Sequence, residues 1–328
     1  MKKHIVFLTG AGISAESGLG TFRGEDGLWT KLEFEYYASL DCLYNDTQRC
    51  LDFYNMRREK LAEANPNRAH QLIAELESFF NVSVITQNVD NLHEKAGSTH
   101  VLHLHGELTK VCASADRYNE AYVEEYPLTV PLKVGDFAGD GSQLRPNIVM
   151  FGENVTNIVK AAQLVKQADA FIVVGTSLVV YPAAMLLDYV PRNALKIVVD
   201  PADIPSCDEH GYTHIRTNAT EGMEIMCEEL DKWDCLCDLD NSSNLDYCNS
   251  TGSVMKPHDV WQMKDAIMTV VNANGYSVWD LRQTARGFRV ELNDKIDEEA
   301  ASLLCGQFPL AADYEGEGKT GTVFVLYM

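Results

Sequence analysis

The sequence predicts an α/β fold, a doubly wound parallel sheet, from three observations. Short apolar runs alternate with helical patterns over residues 1–233. The first run, residues 5–8, leads straight into a glycine turn, Thr9-Gly10-Ala11-Gly12. Polar motifs stand directly after the later runs, where the carboxyl ends of parallel strands open a binding crevice.

Residues 5–8, 82–85, 101–104, 170–174 and 196–199 are the strand candidates, each short and apolar enough to be buried on both faces. Residues 69–80 and 156–168 carry helical patterns between them. Two stretches interrupt the alternation. Residues 31–65 are helical, with Leu51, Tyr54, Arg58 and Leu61 at helical spacing, and residues 108–147 are irregular and rich in Gly, Pro and Asp. From 234 to 252 the chain turns to Asp, Asn, Ser and Cys, which reads as a linker. Beyond it, 257–273 reads as a helix, 276–281 and 288–292 as strands, 297–304 as a short helix and 323–327 as a closing strand. This C-terminal α+β appendage, residues 253–328, is marginal as an independent fold.

A chain of 328 residues with 46% apolar content can bury one large core and carry a second module. Its net charge of −21 and lack of any Lys/Arg block argue against a nucleic-acid partner. The apolar run after Met1-Lys2-Lys3-His4 stops at Thr9-Gly10, too early for a secretory signal, and no run reaches the length of a membrane span. A cytoplasmic protein with no membrane partner is expected. In that reducing compartment its nine irregularly spaced cysteines read as free thiols.

Gly10 and Gly12 are expected to let backbone N–H groups approach a pyrophosphate, with the following helix turning its positive end to the same anion. The G-x-G-x-x-G spacing is not met, since the next glycine is Gly18. The longer string from Leu8 to Gly24 is more specific. Downstream, in order, come residues 86–93 (Thr-Gln-Asn-Val-Asp-Asn-Leu-His), 104–107 (Leu-His-Gly-Glu), 148–153 (Ile-Val-Met-Phe-Gly-Glu) and 175–178 (Gly-Thr-Ser-Leu). Together they resemble the sirtuin family, the NAD-dependent protein lysine deacylases, over about residues 1–233.

The resemblance implies a Rossmann-like large part (1–30, 66–107 and 148–233) and a small inserted domain made of 31–65 and 108–147, with the substrate cleft between them. It implies NAD as cofactor, held by Gly10, Ala11, Gly12, Ile13, Thr21, Phe22, Arg23, Gln87, Asn88, Asp90, Gly175, Thr176, Ser177 and Asp200. Asn88 and Asp90 would meet the nicotinamide end, Gln87 the ribose, Phe22 would screen the reactive ribose from water and Arg23 would orient the cofactor. Val149, Phe151, Gly152 and Glu153 match the substrate segment.

In the family's reaction the acyl carbonyl oxygen attacks C1′ of the nicotinamide ribose, nicotinamide leaves, and a ribose hydroxyl then attacks the imidate carbon. That hydroxyl needs a base with a pKa near neutrality, which imidazole supplies. His105 matches that base, with Asn88 beside it in the catalytic set, whereas His103 reads as a structural residue.

Two departures matter. Sirtuins usually place two Cys-x-x-Cys pairs in the second insertion to hold zinc, and here only Cys112 stands there. One thiolate cannot build a tetrahedral site, and Ser114, Asp116 and Asp136 are poor substitutes, so the module reads as metal-free. Cys227, Cys235, Cys237 and Cys248 form a second cluster without zinc-knuckle spacing, where a metal stays open. The second departure is Phe53-Tyr54-Asn55-Met56-Arg57-Arg58, which sets Tyr54 and Arg57 at i and i+3 on one helix. In the desuccinylase and demalonylase branch a Tyr-x-x-Arg pair here binds the distal acyl carboxylate, and Ala15-Glu16-Ser17 and Thr21 also resemble that branch and its bacterial members. An Arg fork matches a carboxylate bidentately and the Tyr hydroxyl adds a donor.

The expected activity is therefore NAD-dependent removal of succinyl or malonyl groups, with acetyl in addition, from protein lysines, giving nicotinamide and O-acyl-ADP-ribose. Mono-ADP-ribosyl transfer and an NAD-sensing binding protein are the alternatives. The protein substrate, the oligomeric state and the appendage's purpose stay open.

Overall fold

The computed structural model describes residues 2–20, 31–240, 257–284, 287–317 and 322–327. β1 (His4–Thr9) carries Ile5, Val6, Phe7 and Leu8, none of which keeps exposed surface, so it belongs in a sheet covered on both faces. Gly10 turns it into the short α1 (Ala11–Ala15). The first insertion is helical, α2 (Lys31–Tyr37), α3 (Leu40–Asn45) and α4 (Thr47–Glu63). Asn67 then caps α5 (Arg68–Leu76), its side-chain oxygen accepting from the Ala69 and His70 amides. β2 (Asn81–Thr86), α6 (Leu92–Ala96) and β3 (Val101–His103) follow.

The second insertion differs from the irregular stretch expected of residues 108–147. It forms a three-stranded antiparallel sheet, β4 (Gly106–Ala113), β5 (Glu124–Glu125) and β6 (Leu144–Ile148), in the order β5-β4-β6. A register shift between Glu107 and Val111 interrupts the alternation of inward and outward residues that sequence reading relies on. The remainder of the large part is α7 (Ile158–Val165), β7 (Ala170–Val174), β8 (Leu195–Val199), α8 (Pro205–Glu209), β9 (Thr213–Ile215) and α9 (Ala219–Asp240).

The main sheet is entirely parallel, in the order β3-β2-β1-β7-β8-β9. The chain winds outward from β1 through β2 to β3, then returns to place β7 on the other side of β1. The order of winding reverses between β1 and β7, and a crevice for a ligand opens at such a point.

One arginine ties the two insertions together. Arg58 of α4 has no exposed surface and donates to four carbonyls of the second insertion, those of Leu108 (3.3 Å), Tyr126 (3.3 Å), Pro127 (2.7 Å) and Val130 (2.8 Å). One helix turn earlier, Asn55 exchanges two 2.8 Å hydrogen bonds with the Leu132 backbone. Leu51, Val111, Leu132 and Leu144 close a shared apolar cluster.

The chain divides into two compact units, Met1–Glu229 and Leu230–Met328, the division falling inside α9. That helix runs to Asp240, so the linker read from residue 234 begins in helix, because Trp233, Leu236 and Leu239 prolong the helical spacing of Met223, Met226 and Leu230. The second unit holds α10 (Pro257–Ala273), β10 (Val278–Thr284), β11 (Gly287–Leu292), α11 (Glu298–Cys305), β12 (Ala311–Glu317) and β13 (Thr322–Tyr327), with sheet order β10-β11-β13-β12. β12 was not expected. Its sequence, Ala-Ala-Asp-Tyr-Glu-Gly-Glu, is poor in strand formers, and pairing with β13 makes it an edge strand. Among the described residues no helix is long and apolar enough to cross a membrane.

Candidate active site

Strand order assembles the site. The motif loops follow β3, β2, β1, β7 and β8, which are consecutive neighbours, so His105, residues 87–90, residues 10–13, residues 175–177 and Asp200 all lie at the same edge of the sheet.

Two of these loops interlock through glycine. A Cβ on Gly10 would meet Thr176 Cβ at 2.6 Å, one on Gly12 would meet Gly175 Cα at 2.5 Å, and one on Gly175 would meet Ile13 N at 2.4 Å. Gly175 also sits at φ +62°, a conformation L side chains disfavour. The amides of both glycines are engaged within the protein. Gly10 N donates to the Val174 carbonyl (3.0 Å) and Gly12 N to the Gly175 carbonyl (2.8 Å), so those amides hold the neighbouring loop and are not directed at a pyrophosphate. The glycines admit backbone against backbone and so build a cradle into which a dinucleotide can settle, with Ala11 partly exposed and Ile13 fully buried in the first turn of α1. Thr21, Phe22 and Arg23 lie outside the described residues.

The turn after β2 is held by a chain of side-chain hydrogen bonds. Asn88 Nδ2 donates to the Gly10 carbonyl (3.0 Å) and to Ser14 Oγ (3.1 Å). Ser14 Oγ in turn donates to Asp90 Oδ2 (3.0 Å), and Asp90 Oδ1 accepts from Leu92 N (3.2 Å). Burial raises the Asp90 pKa, against those hydrogen bonds and the charge of His103. Gln87 reaches sideways, Nε2 donating to Thr176 Oγ1 (2.9 Å), so the residues read as ribose contacts on two strands support each other. Ser177 is exposed at the rim. Asp200 accepts from Ala202 N (2.9 Å) after β8, and burial raises its pKa. Ser14 and Asn67, whose Nδ2 donates to the Ile13 carbonyl (2.7 Å), were not singled out in sequence. Asn67's position just before a helical pattern was the available signal.

His105 sits partly buried just beyond β3, its Nδ1 2.9 Å from the Gln87 carbonyl. A carbonyl only accepts, so Nδ1 carries the proton and Nε2 keeps its lone pair. Burial lowers its pKa despite that carbonyl, which keeps the ring neutral at pH 7.

The substrate segment is joined directly to this histidine. Val149 N donates to the His105 carbonyl (2.8 Å), and Gly106, at φ +79°, packs so closely that a Cβ would lie 2.1 Å from the Asn147 carbonyl oxygen. Phe151 N donates to Ala38 of the first insertion (2.7 Å) while its ring is half exposed, and Gly152 follows at the surface. Glu153 turns inward. It accepts from Met150 N (2.8 Å) and lies 2.5 Å from Arg145 of β6, so it shapes the segment from within and is not turned toward a substrate.

Tyr54 and Arg57 both lie on α4 as expected. Tyr54 packs among Leu92, Leu108, Ile148 and Met150, with Val89 against the same cluster, and burial raises its pKa. Arg57 is partly buried. Its guanidinium lies 5.9 Å from the centroid of the Phe53 ring, and burial lowers its pKa against the fields of Tyr54 and Asp90.

The thiol of Cys112 is buried in β4, donates to the Pro146 carbonyl (3.8 Å) and is pushed up in pKa by burial, the opposite of what a thiolate ligand needs. Cys227 is buried in α9, while Cys248 and the side chains of Cys235 and Cys237 lie outside the described residues. Among the described residues, Glu94, His103 and Glu107 bring donor atoms within 4.8 Å of one another, but the space is filled. Lys110 Nζ lies 2.7 Å from Glu107, and both His103 nitrogens have acceptors.

A glycine-cradled crevice at the switch point of a parallel sheet, with a neutral histidine at its end, defines a dinucleotide-using enzyme class. The chain belongs to the Sir2 family, whose profile matches residues 10–182. The NAD-dependent protein deacylase of Bacteroides thetaiotaomicron is 53% identical over 229 residues, covering 70% of this chain and 98% of that protein. A Sir2 homolog–NAD complex is 40% identical, with a TM-score of 0.62 over 71% of this chain and 91% of that one. A Sir2–p53 peptide–NAD+ complex is 32% identical, with a TM-score of 0.56 over 70% and 93%.

Proposed function

We propose that this NAD-dependent protein deacylase acts on acyl-lysines that end in a carboxylate, succinyl and malonyl before acetyl, with His105 as the base. NAD supplies the ribose–nicotinamide bond that is broken and the hydroxyl that accepts the acyl group. The interlocked Gly10, Gly12 and Gly175 loops hold it, with Gln87, Thr176, Ser177 and Asp200 along the ribose and phosphate side and Asn88 and Asp90 at the nicotinamide end. His105 takes the hydroxyl proton at Nε2, the nitrogen that the Gln87 carbonyl leaves bare. The extended backbone around Val149 and Phe151 lines up a peptide beside that ring. Peptide binding by this chain is supported by the related structure that holds a p53 peptide.

The acyl preference rests on one observation, a partly buried guanidinium at Arg57 with the Tyr54 hydroxyl one turn away on α4. A carboxylate there gains a charge-assisted pair that an acetyl group has no charge to form. Arg57→Met is expected to cut kcat/KM on succinyl- or malonyl-lysine peptides by roughly 30-fold or more, mostly through KM, with acetyl-lysine level or improved. Tyr54→Phe acts in the same direction more weakly. Equal losses on acetyl and succinyl peptides would remove the charge-reading role and leave α4 a wall of the cleft.

The β4-β5-β6 module stands on protein contacts instead of zinc. The four carbonyls gathered by Arg58 and the reciprocal bonds of Asn55 do what a metal does elsewhere, joining distant loop segments at one point.

A further inference from the structure

His103 and His105 stand two residues apart at the end of one strand, and each grips the turn after β2 by Nδ1. His105 holds the Gln87 carbonyl at 2.9 Å and His103 the next one, that of Asn88, at 3.0 Å. They differ at the other nitrogen, since His103 Nε2 lies 2.9 Å from Glu94 Oε1, on the helix that follows the turn. A carbonyl and an ionised carboxylate only accept, so both ring nitrogens of His103 must carry protons, and only the imidazolium has two.

We propose that His103 is a positioning residue whose imidazolium ties Glu94 to the Asn88 carbonyl and so fixes the turn that presents Asn88 and Asp90 to the cofactor. A lone histidine beside a strand reads as structural from sequence, and only the approach of Glu94 distinguishes this one. The inference rests on the reading of residues 87–90 as the nicotinamide contact and of His105 as the base.

The surroundings agree. His103 is 7% exposed. Burial opposes its charge, but the hydrogen bond and charge of Glu94, helped by Glu107 and the Asn88 carbonyl, outweigh that and raise its pKa. Glu94 is correspondingly lowered, burial being overcome by His103, with Lys110 contributing. From α6 and the turn, the other titratable neighbours are His93, held neutral by burial, and Asp90; from β4 they are Glu107 and Lys110, paired at 2.7 Å. No carboxylate acts on His105 among the described residues, and that ring stays neutral. One histidine is charged to hold the turn and its neighbour is uncharged to take a proton.

The device has an alkaline limit. Once His103 loses a proton, one N–H serves two acceptors and the carboxylate claims it, which releases the Asn88 carbonyl. Asn88 would then keep its amide on Thr86 Oγ1 and its side chain on Gly10 and Ser14, with its carbonyl released. Glu94→Gln removes the competition, because the amide can donate to Nε2 while a neutral ring keeps Nδ1–H on Asn88.

The test is a pH titration of the full chain labelled with 15N-histidine, using long-range 1H–15N correlations assigned by His103→Gln, beside kcat/KM for deacylation over the same range. In the unmodified protein both His103 nitrogens are expected to be protonated at pH 7 and to titrate above 6.5, the ordinary value, while His105 is neutral with its proton on Nδ1. kcat/KM should fall about tenfold per pH unit beyond the His103 midpoint. In Glu94→Gln that midpoint should drop by about one unit or more and the alkaline fall tied to it should disappear. A neutral His103 at pH 7, activity level through the His103 midpoint, or an unchanged alkaline limb in Glu94→Gln would overturn the proposal. If instead His105 is not the base, the charge state of His103 is untouched and only the His105→Ala activity changes its meaning, so the two failures are distinguishable.

Discussion

The neutral state of His105 has a direct kinetic meaning. A ring held below 6.5 by burial is competent as a base through neutral pH, so kcat/KM should rise from acid pH and level off before pH 7. His105→Ala should lose about two to four orders of magnitude in turnover while NAD still binds, measured by single-turnover deacylation beside calorimetric NAD titration. A folded variant with near-normal turnover would remove the assignment. A second histidine effect belongs to stability. His70 and His93 are buried with ring centroids 4.9 Å apart; burial pushes His70 down to about 4 and His93 further below its ordinary value. Groups with depressed folded pKa values cost nothing above the unfolded value near 6.5, and below it the unfolded chain takes up protons that the folded chain refuses. Unfolding free energy should therefore decline as pH falls from 6.5 toward 4, on the order of 3 kcal/mol from His70 alone, read by urea melts. His70→Gln should flatten that slope, and an unaltered slope in the folded variant would assign it elsewhere.

At the scale of elements, α4 spends two adjacent arginines on different tasks. Arg57 lies with its guanidinium 5.9 Å from the Phe53 ring, where we propose it meets the acyl carboxylate, and Arg58 gathers the second insertion, with its guanidinium 5.1 Å from the Tyr126 ring. Arg58→Met leaves the carbonyls of Leu108, Tyr126, Pro127 and Val130 without their donor, at a cost of about 3 kcal/mol or more. A large fall in Tm is expected. Elemental analysis of the purified chain should find no stoichiometric zinc in this module, and a chelator should leave Tm and activity unchanged. One zinc per chain lost together with activity would overturn the reading and point to the cysteines beyond Cys227.

At the scale of the molecule, every loop of the site belongs to the unit Met1–Glu229, and the sheet of the second unit is built from residues after 257. A chain ending near Ser243 is therefore expected to fold and to cleave NAD in the presence of acyl peptide, assayed by nicotinamide release. An insoluble or inert truncation would show that the second unit completes the core or the cleft.

The sequence by itself determined five of the six strands of the main sheet and the chemistry at their ends, because a buried parallel strand is a continuous apolar run and its following loop is a contiguous string of polar residues; β9, Thr-His-Ile at the sheet edge, is too short and polar to carry that signal. Residues 170–174 needed no adjustment, and 5–8 and 82–85 grew by a residue at each end. Tertiary structure alone decided which groups face each other. Gly10 and Gly12 spend their amides on the loop at Gly175, Glu153 turns in to Arg145, and residues 108–147 become a sheet despite an interrupted alternation. It also decided charge. His103 and His105 are the same residue type on the same strand end, and only the approach of Glu94, brought by the packing of α6, protonates one and leaves the other free to act as a base.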